Sequence, residues 1–310
     1  MFPSFNARAM GLSLSAEATI DLAARAGFAG VDLLVRDLVE SGASPKTLRG
    51  RMDDLGLRGG AWPLPMGWRG DEATFRRDLE RLPRLAAVAA TLGLTRTGTW
   101  VMPESPTGVD RAEVIDLHVR RLGAIARVLA DHGTRLGLEV LGVESLRAGL
   151  GAPLVARLAD LDPVLGAVWD EAPNLGIVLD TWHLYAAGEP VEAALAWGVD
   201  RVAWVHAADL PAGASPDRSL MRDDRRGLPG EHGAIDVLGA LRTLADLGYD
   251  GPVTAEPLGH CRRLEGRDPE TAAREVAGAL CSVWPPTSPS PSGVNGSGPP
   301  RRPAWPPSPA

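Results

Sequence analysis

Cysteine is scarce. Cys261 and Cys281 are the only two in 310 residues, too few for a disulfide framework or a structural zinc site. No run of eighteen apolar residues occurs, so no membrane span is expected. A basic excess is missing too: 32 Lys and Arg stand against 39 Asp and Glu, a net charge of −7, which argues against nucleic acid as the main partner. From Met1 to Arg8 no basic segment leads into an apolar one, so no secretory leader is expected and the cytoplasm is the default compartment.

What is present is a chain with 45% hydrophobic residues, enough to bury a large core. One punctuation pattern recurs along it: a helical segment ends at glycine, and an apolar or β-branched run follows. It appears around Gly27, Gly56, Gly93, Gly133, Gly198 and Gly248, where glycine suits the left-handed position after a helix. Ser44-Pro45 and Asp268-Pro269 mark helix starts, and Asp110 to Glu113 has capping-box spacing. The pattern predicts strands near 8–12, 30–35, 57–62, 95–101, 135–141, 175–180, 201–207 and 251–256. Helices are predicted near 15–26, 45–55, 72–92, 110–132, 153–170, 190–197, 234–247 and 269–282. Eight strands alternating with eight helices imply an α/β fold, a closed (β/α)8 TIM barrel spanning residues 1–284 as one domain. A doubly wound open sheet is the runner-up, but Gly11 to Ser15 is not the Gly-rich phosphate loop it would normally carry. Residues 285–310 hold ten prolines in 26 residues and are expected to be disordered.

In such a barrel the chemistry sits at the C-terminal ends of the strands. The last four strands end on Glu139, Asp180, His206 and Glu256. Any one of these is individually more often structural; Asp180, for instance, could cap the next helix. Three carboxylates and an imidazole on four successive strand ends are a different matter. They repel and desolvate one another unless a cation sits among them. Three oxygens and one nitrogen suit Mn, Mg or Co, with Zn or Fe as further candidates. The polar stretch 208–233 is too long for a bare connector and is expected to cover the site, with Asp209 organising it.

Glu139, Asp180-Thr-Trp-His183, His206, Arg226-Gly-Leu-Pro-Gly230 and Glu256-Pro257 together resemble the xylose-isomerase-like TIM-barrel superfamily, and within it the sugar phosphate isomerase/epimerase group. The resemblance covers about 8–284 and implies that Glu139, Asp180, His206 and Glu256 bind the metal, while His183 and Arg226 contact substrate oxygens. One departure is Pro229-Gly-Glu-His-Gly233, where His232 is an added residue.

Moving a proton along an α-hydroxy carbonyl needs a Lewis acid on the oxygens, a base on one face and an acid on the other. Glu139 and Glu256 are assigned that acid/base pair. Trp62 and Trp100, with Trp68 and Trp182, lie near strand ends and could wall the apolar face of a sugar; packing under a loop competes with that reading. The expected function is a divalent-metal-dependent isomerase or epimerase of a small sugar, sugar phosphate or hydroxy-ketone. The alternative is a dehydratase or lyase acting on a keto-polyol or dehydroshikimate-like acid. The partner is then a small carbohydrate, with neither nucleic acid nor membrane, and a homo-oligomer is compatible with it. A zinc-dependent apurinic endonuclease would need histidines on strands two to four, and Gly60-Ala-Trp62 and Gly98 to Val101 supply none.

Overall fold

The computed structural model describes residues 1–147 and 151–286. Eleven strands lie among them: β1 (Phe2–Phe5), β2 (Gly30–Val31), β3 (Arg58–Gly59), β4 (Ala61–Pro63), β5 (Arg96–Trp100), β6 (Glu104–Pro106), β7 (Arg135–Glu139), β8 (Gly151–Pro153), β9 (Leu175–Asp180), β10 (Val202–Ala207) and β11 (Pro252–Ala255). Nine form one parallel sheet in the order β3-β2-β1-β11-β10-β9-β7-β5-β4. Its two end strands, β3 and β4, are a single strand interrupted at Gly60. The Gly60 amide donates to the Val31 carbonyl at 2.9 Å and the Leu33 amide to Ala61 at 3.2 Å, so the ring closes through this strand. The result is the TIM barrel that the alternation implies.

The six glycines after helices behave as their spacing predicts, with φ between +65° and +95°. Ser44 and Asp268 cap their helices by accepting backbone N–H groups, and Asp110 accepts from Ala112. Three expectations need correction. The first strand is Phe2–Phe5, not 8–12. Residues Arg8–Met10 form a 3-10 turn that closes on Gly11 at φ +73°, leaving the chain no room to extend there. The expected helix 153–170 is shorter. Its beginning pairs antiparallel with β6 as β8, and the regular helix is only Asp162–Val168. A helix that the glycine pattern did not predict, Val35–Ser41, follows β2. The tail expected to be disordered, 285–310, lies outside the described residues from 287 onward.

Inside the barrel, Ala61, Val178 and Trp204 make a small apolar layer of their own. Gly98 and Gly137 make room for it: a Cβ at either would come within 3 Å of Val178. Side chains alternate along a strand. Two residues after this inward layer, the strands therefore present their next inward side chains at the C-terminal rim. On β7 that residue is Glu139, on β9 Asp180 and on β10 His206. Directly after β11 it is Glu256, whose amide donates to Ala207 at 3.0 Å.

Candidate metal centre

One donor atom from each of Glu139, Asp180, His206 and Glu256 lies within 4.8 Å of the others. His206 Nδ1 is 2.8 Å from Glu139 Oε1 and 3.3 Å from Glu256 Oε2. Beneath it, Trp204 meets the imidazole edge-on, with ring centroids 4.4 Å apart. Asp180 serves two ends. Its Oδ1 accepts from the Trp182 amide at 2.8 Å and caps the helix Thr181–Ala187, while its Oδ2 faces the cluster. One oxygen caps the helix and the other is left to the cluster, so the two readings of this residue are compatible.

Arg226 lies over the cluster, 2% exposed, with Nη1 2.8 Å from Asp180 Oδ2 and 2.8 Å from Glu256 Oε2. Its other face bonds Asp223 and donates to His183 Nε2 at 3.1 Å. Arg222 and Arg225 are exposed, so the burial singles out Arg226. His183 is buried behind this guanidinium and outside the donor cluster. Its carbonyl is the close neighbour of Gly142, where a Cβ would approach to 2.1 Å. The loop that delivers Arg226 is held at its base by Asp209, which is fully buried. The Asp209 carboxylate accepts the amides of Leu210, His232, Gly233 and Ile235, and its backbone pairs with Gly227. Added His232 faces the Ala214 carbonyl within the same loop rather than the cluster.

The charges explain the titration of the cluster. Burial pushes Asp180 up, but Arg226 and the two histidines outweigh it and hold its carboxyl at about 2. Burial also works against a charged His206, and the Glu256 and Glu139 carboxylates more than offset it, so the imidazole titrates well above its usual value. Glu139 is raised by burial, tempered by His206. Glu256 is raised by burial but lowered further by His206 and Arg226, and ends below its usual value. Hard oxygens with one imidazole, converging at the end of a barrel, fit a divalent cation. Glu139, Asp180, His206 and Glu256 are the residues that would hold it.

The aromatic wall needs correction. Trp62, Trp68 and Trp182 have almost no accessible surface, and only Trp100, 40% exposed, presents a face. Pleating is the reason. Trp62 follows inward-facing Ala61 and pairs in register with Thr97, so it points into the helix layer, whereas Trp100 pairs with Glu139 and points with it toward the mouth. Two features were not recognised from sequence. Asp32 is buried beneath the rim, accepting Ser4 Oγ at 2.6 Å, the Ala61 amide at 2.8 Å and Thr254 Oγ1 at 2.7 Å. Asp223 is the further carboxylate on Arg226.

Fold and cluster together define a TIM barrel with a three-carboxylate, one-histidine centre at the C-terminal rim. The chain belongs to the xylose isomerase-like TIM barrel family, whose model matches residues 20–283. It is similar to the 3-dehydroshikimate dehydratases of Pseudomonas putida (29% identity) and Pseudomonas aeruginosa (30%), in each case over 76% of this chain and 35% of the relative. The chain thus spans about a third of the length of these curated relatives. A xylose isomerase domain protein from Alicyclobacillus acidocaldarius superposes with a TM-score of 0.79 at 29% identity, covering 91% of this chain and 98% of that one. The IolI protein with a bound zinc atom superposes with a TM-score of 0.74 at 17% identity, over 91% and 98%; at that identity the likeness is one of fold. No helix among the described residues is long and apolar enough to cross a membrane.

Proposed function

We propose that this chain is a divalent-metal-dependent enzyme that moves a proton at the carbon beside a ketone in a small polyhydroxylated substrate, an isomerase or epimerase. The observation that carries the reading is the convergence of Glu139, Asp180, His206 and Glu256 within 4.8 Å at the open end of the barrel. A divalent cation held there would polarise the substrate's carbonyl and hydroxyl oxygens and so acidify the neighbouring C–H. Glu256 and Glu139 come from strands on either side of β9 and β10, an arrangement suited to removing a proton on one face and returning it on the other. Asp180 and His206 act as ligands. Arg226 and His183 hold substrate oxygens and stabilise the negative charge that develops on them. Trp100 offers its ring to the apolar face of the substrate.

A second reading has a specific observation in its favour. The two Pseudomonas relatives are dehydratases, and elimination shares the proton-abstraction step before expelling a β-hydroxyl. Incubation with Mn2+ and a panel of keto-polyols and keto-acids in D2O, followed by mass spectrometry, separates the two. Isomerisation gives a product of unchanged composition carrying solvent deuterium, and dehydration gives one lighter by a water. A panel without exchange or elimination, on protein that binds Mn2+, would sink both readings.

A further inference from the structure

The three arginines buried among the described residues each have a carboxylate: Arg96 pairs with Asp250, Arg121 with Glu72 and Arg226 with Asp180. Arg69 has none among the described residues, yet it is held as firmly. It lies between β4 and the helix Glu72–Thr91. On either side of it, the Trp68 and Gly70 carbonyls both accept from Arg121 Nη1 at 2.7 Å. The Trp68 indole N–H donates to Thr99 Oγ1 at 3.0 Å. The Arg69 guanidinium lies 3.5 Å from the centre of the Trp100 ring and 4.9 Å from that of Trp68. Its Nη1 donates to the Trp100 carbonyl at 2.7 Å and to Thr99 Oγ1 at 3.1 Å, which leaves the Nε and Nη2 edge without a partner among the described residues. Burial pulls it down to about 10, and no neighbouring acid opposes the shift.

A half-buried cation that is clamped, stacked and left one free N–H edge is a receptor for an anion. Its place says whose. Trp100 pairs in register with Glu139 on the adjacent strand, and the guanidinium stacks on its ring, which brings Arg69 to the rim on the order of 10 Å, about two strand spacings, from Glu139. A short polyol chain reaches that far. One guanidinium edge matches a planar carboxylate through two parallel bonds, whereas a phosphate dianion would ask for more positive charge than Arg69 alone supplies.

We propose that Arg69 anchors a carboxylate of the substrate, so that the chain acts on a hydroxy-keto acid rather than on a neutral sugar. This rests on the proton-transfer reading for the position of the keto end, but its test is a binding ratio that needs no turnover. The Mn2+-loaded protein is titrated calorimetrically with D-fructuronate, with D-fructose, which has a hydroxymethyl group in place of the carboxylate, and with D-fructose 6-phosphate. Fructuronate is expected to bind at least about tenfold tighter than fructose, consistent with a charge-assisted bidentate pair. Arg69→Gln should bring that ratio to within about twofold by weakening fructuronate, with Mn2+ affinity retained. Arg69→Lys, which keeps the charge and loses the fork, should fall between, and supplies the comparison if Arg69→Gln does not fold. A wild-type protein that fails to prefer fructuronate, a ratio unchanged in the variants, or a larger Arg69-dependent gain for the phosphate would each overturn the proposal. A ratio that collapses in Arg69→Gln, in a protein showing neither deuterium exchange nor elimination, would leave the carboxylate anchor standing and remove the proposed reaction.

Discussion

The two sides of the barrel rim are built on different electrostatic terms. Along β7, β9, β10 and β11 the inward residues at the rim are Glu139, Asp180, His206 and Glu256, with Arg226 and Asp223 added by the loop after β10. Across the barrel, Asp32 directly follows β2 and is surrounded by neutral donors: the Ser4 and Thr254 hydroxyls and the Ala61 amide. The remaining strand ends carry the Trp100 face and Arg69. One side concentrates charge that a cation and a reacting substrate can use. The other supplies a satisfied floor and the wall that we propose binds substrate. The difference teaches that ionisable groups at a barrel mouth are not equivalent: those facing other charges are poised for chemistry, and one surrounded by hydroxyl and amide donors is poised for rigidity.

The strongest way to break this contrast is to alter the reactive side. Glu256→Gln keeps the shape and one oxygen donor but removes the base, and is expected to lower solvent-deuterium incorporation on the order of 10³-fold while Mn2+ still binds by calorimetry. Unchanged exchange would remove Glu256 from the acid/base role. Arg226→Met tests the balance of charge in metal-free protein. Removing one partner of a buried pair leaves Asp180 and Glu256 without their arginine and dependent on the histidines alone, with an expected cost of roughly 3–5 kcal/mol in urea unfolding. Saturating Mn2+ should recover part of that loss. A variant of wild-type stability would show that Arg226 does not neutralise the cluster.

A smaller effect follows from His206, whose imidazole titrates above its usual value because Glu256 and Glu139 outweigh its burial. A cation must displace that proton. Apparent Mn2+ affinity should therefore rise with pH, by up to about tenfold per unit while the solution is more acidic than the raised His206 value, and level off above it. Calorimetric titrations across neutral pH check the sign; a flat profile would mean that His206 is neutral before the metal arrives.

Much of the reactive side was legible because its signal is local. An apolar run ending on a charged residue states both that a strand is buried and that something awaits it at the end, as Ile177-Val178-Leu179-Asp180 does. The glycines that end helices carry their φ requirement in their own chemistry. The opposite side was not legible for the opposite reason. Asp32 and Thr254 are 222 residues apart in the chain, and nothing in the spacing of either announces the other. Arg69 looks like any surface arginine until Arg121, Thr99 and Trp100 are brought around it. Phe2–Phe5 was missed because four residues containing a proline are too short to show a period. Trp62 and Trp100 look alike in sequence, and only the pleat separates them.

Asp32 offers the finest test of whether the two sides are independent. Burial raises its carboxyl, and the bonds from Ser4, Ala61 and Thr254 offset this in part. A carboxyl raised in the folded state holds its proton there longer than in the unfolded chain. The penalty is absent below the ordinary carboxylate value of about 3.9, grows as pH rises from there toward the raised folded value, and is complete above it. Asp32→Asn removes the charge and preserves the shape, at the cost of one misdirected donor facing Thr254, whose hydroxyl already accepts Trp204 Nε1 at 2.9 Å. The two contributions oppose, so the net change at neutral pH should stay within about 1 kcal/mol. The variant should gain on the wild type as pH rises from acid to neutral, which paired urea unfolding series at the two pH values would resolve. His206 also acts on Asp32, drawing its titration down through charge. If the variant instead loses about 3 kcal/mol or more at neutral pH, the negative charge of Asp32 is sustaining the protonated imidazole, and the floor belongs electrically to the cluster above it.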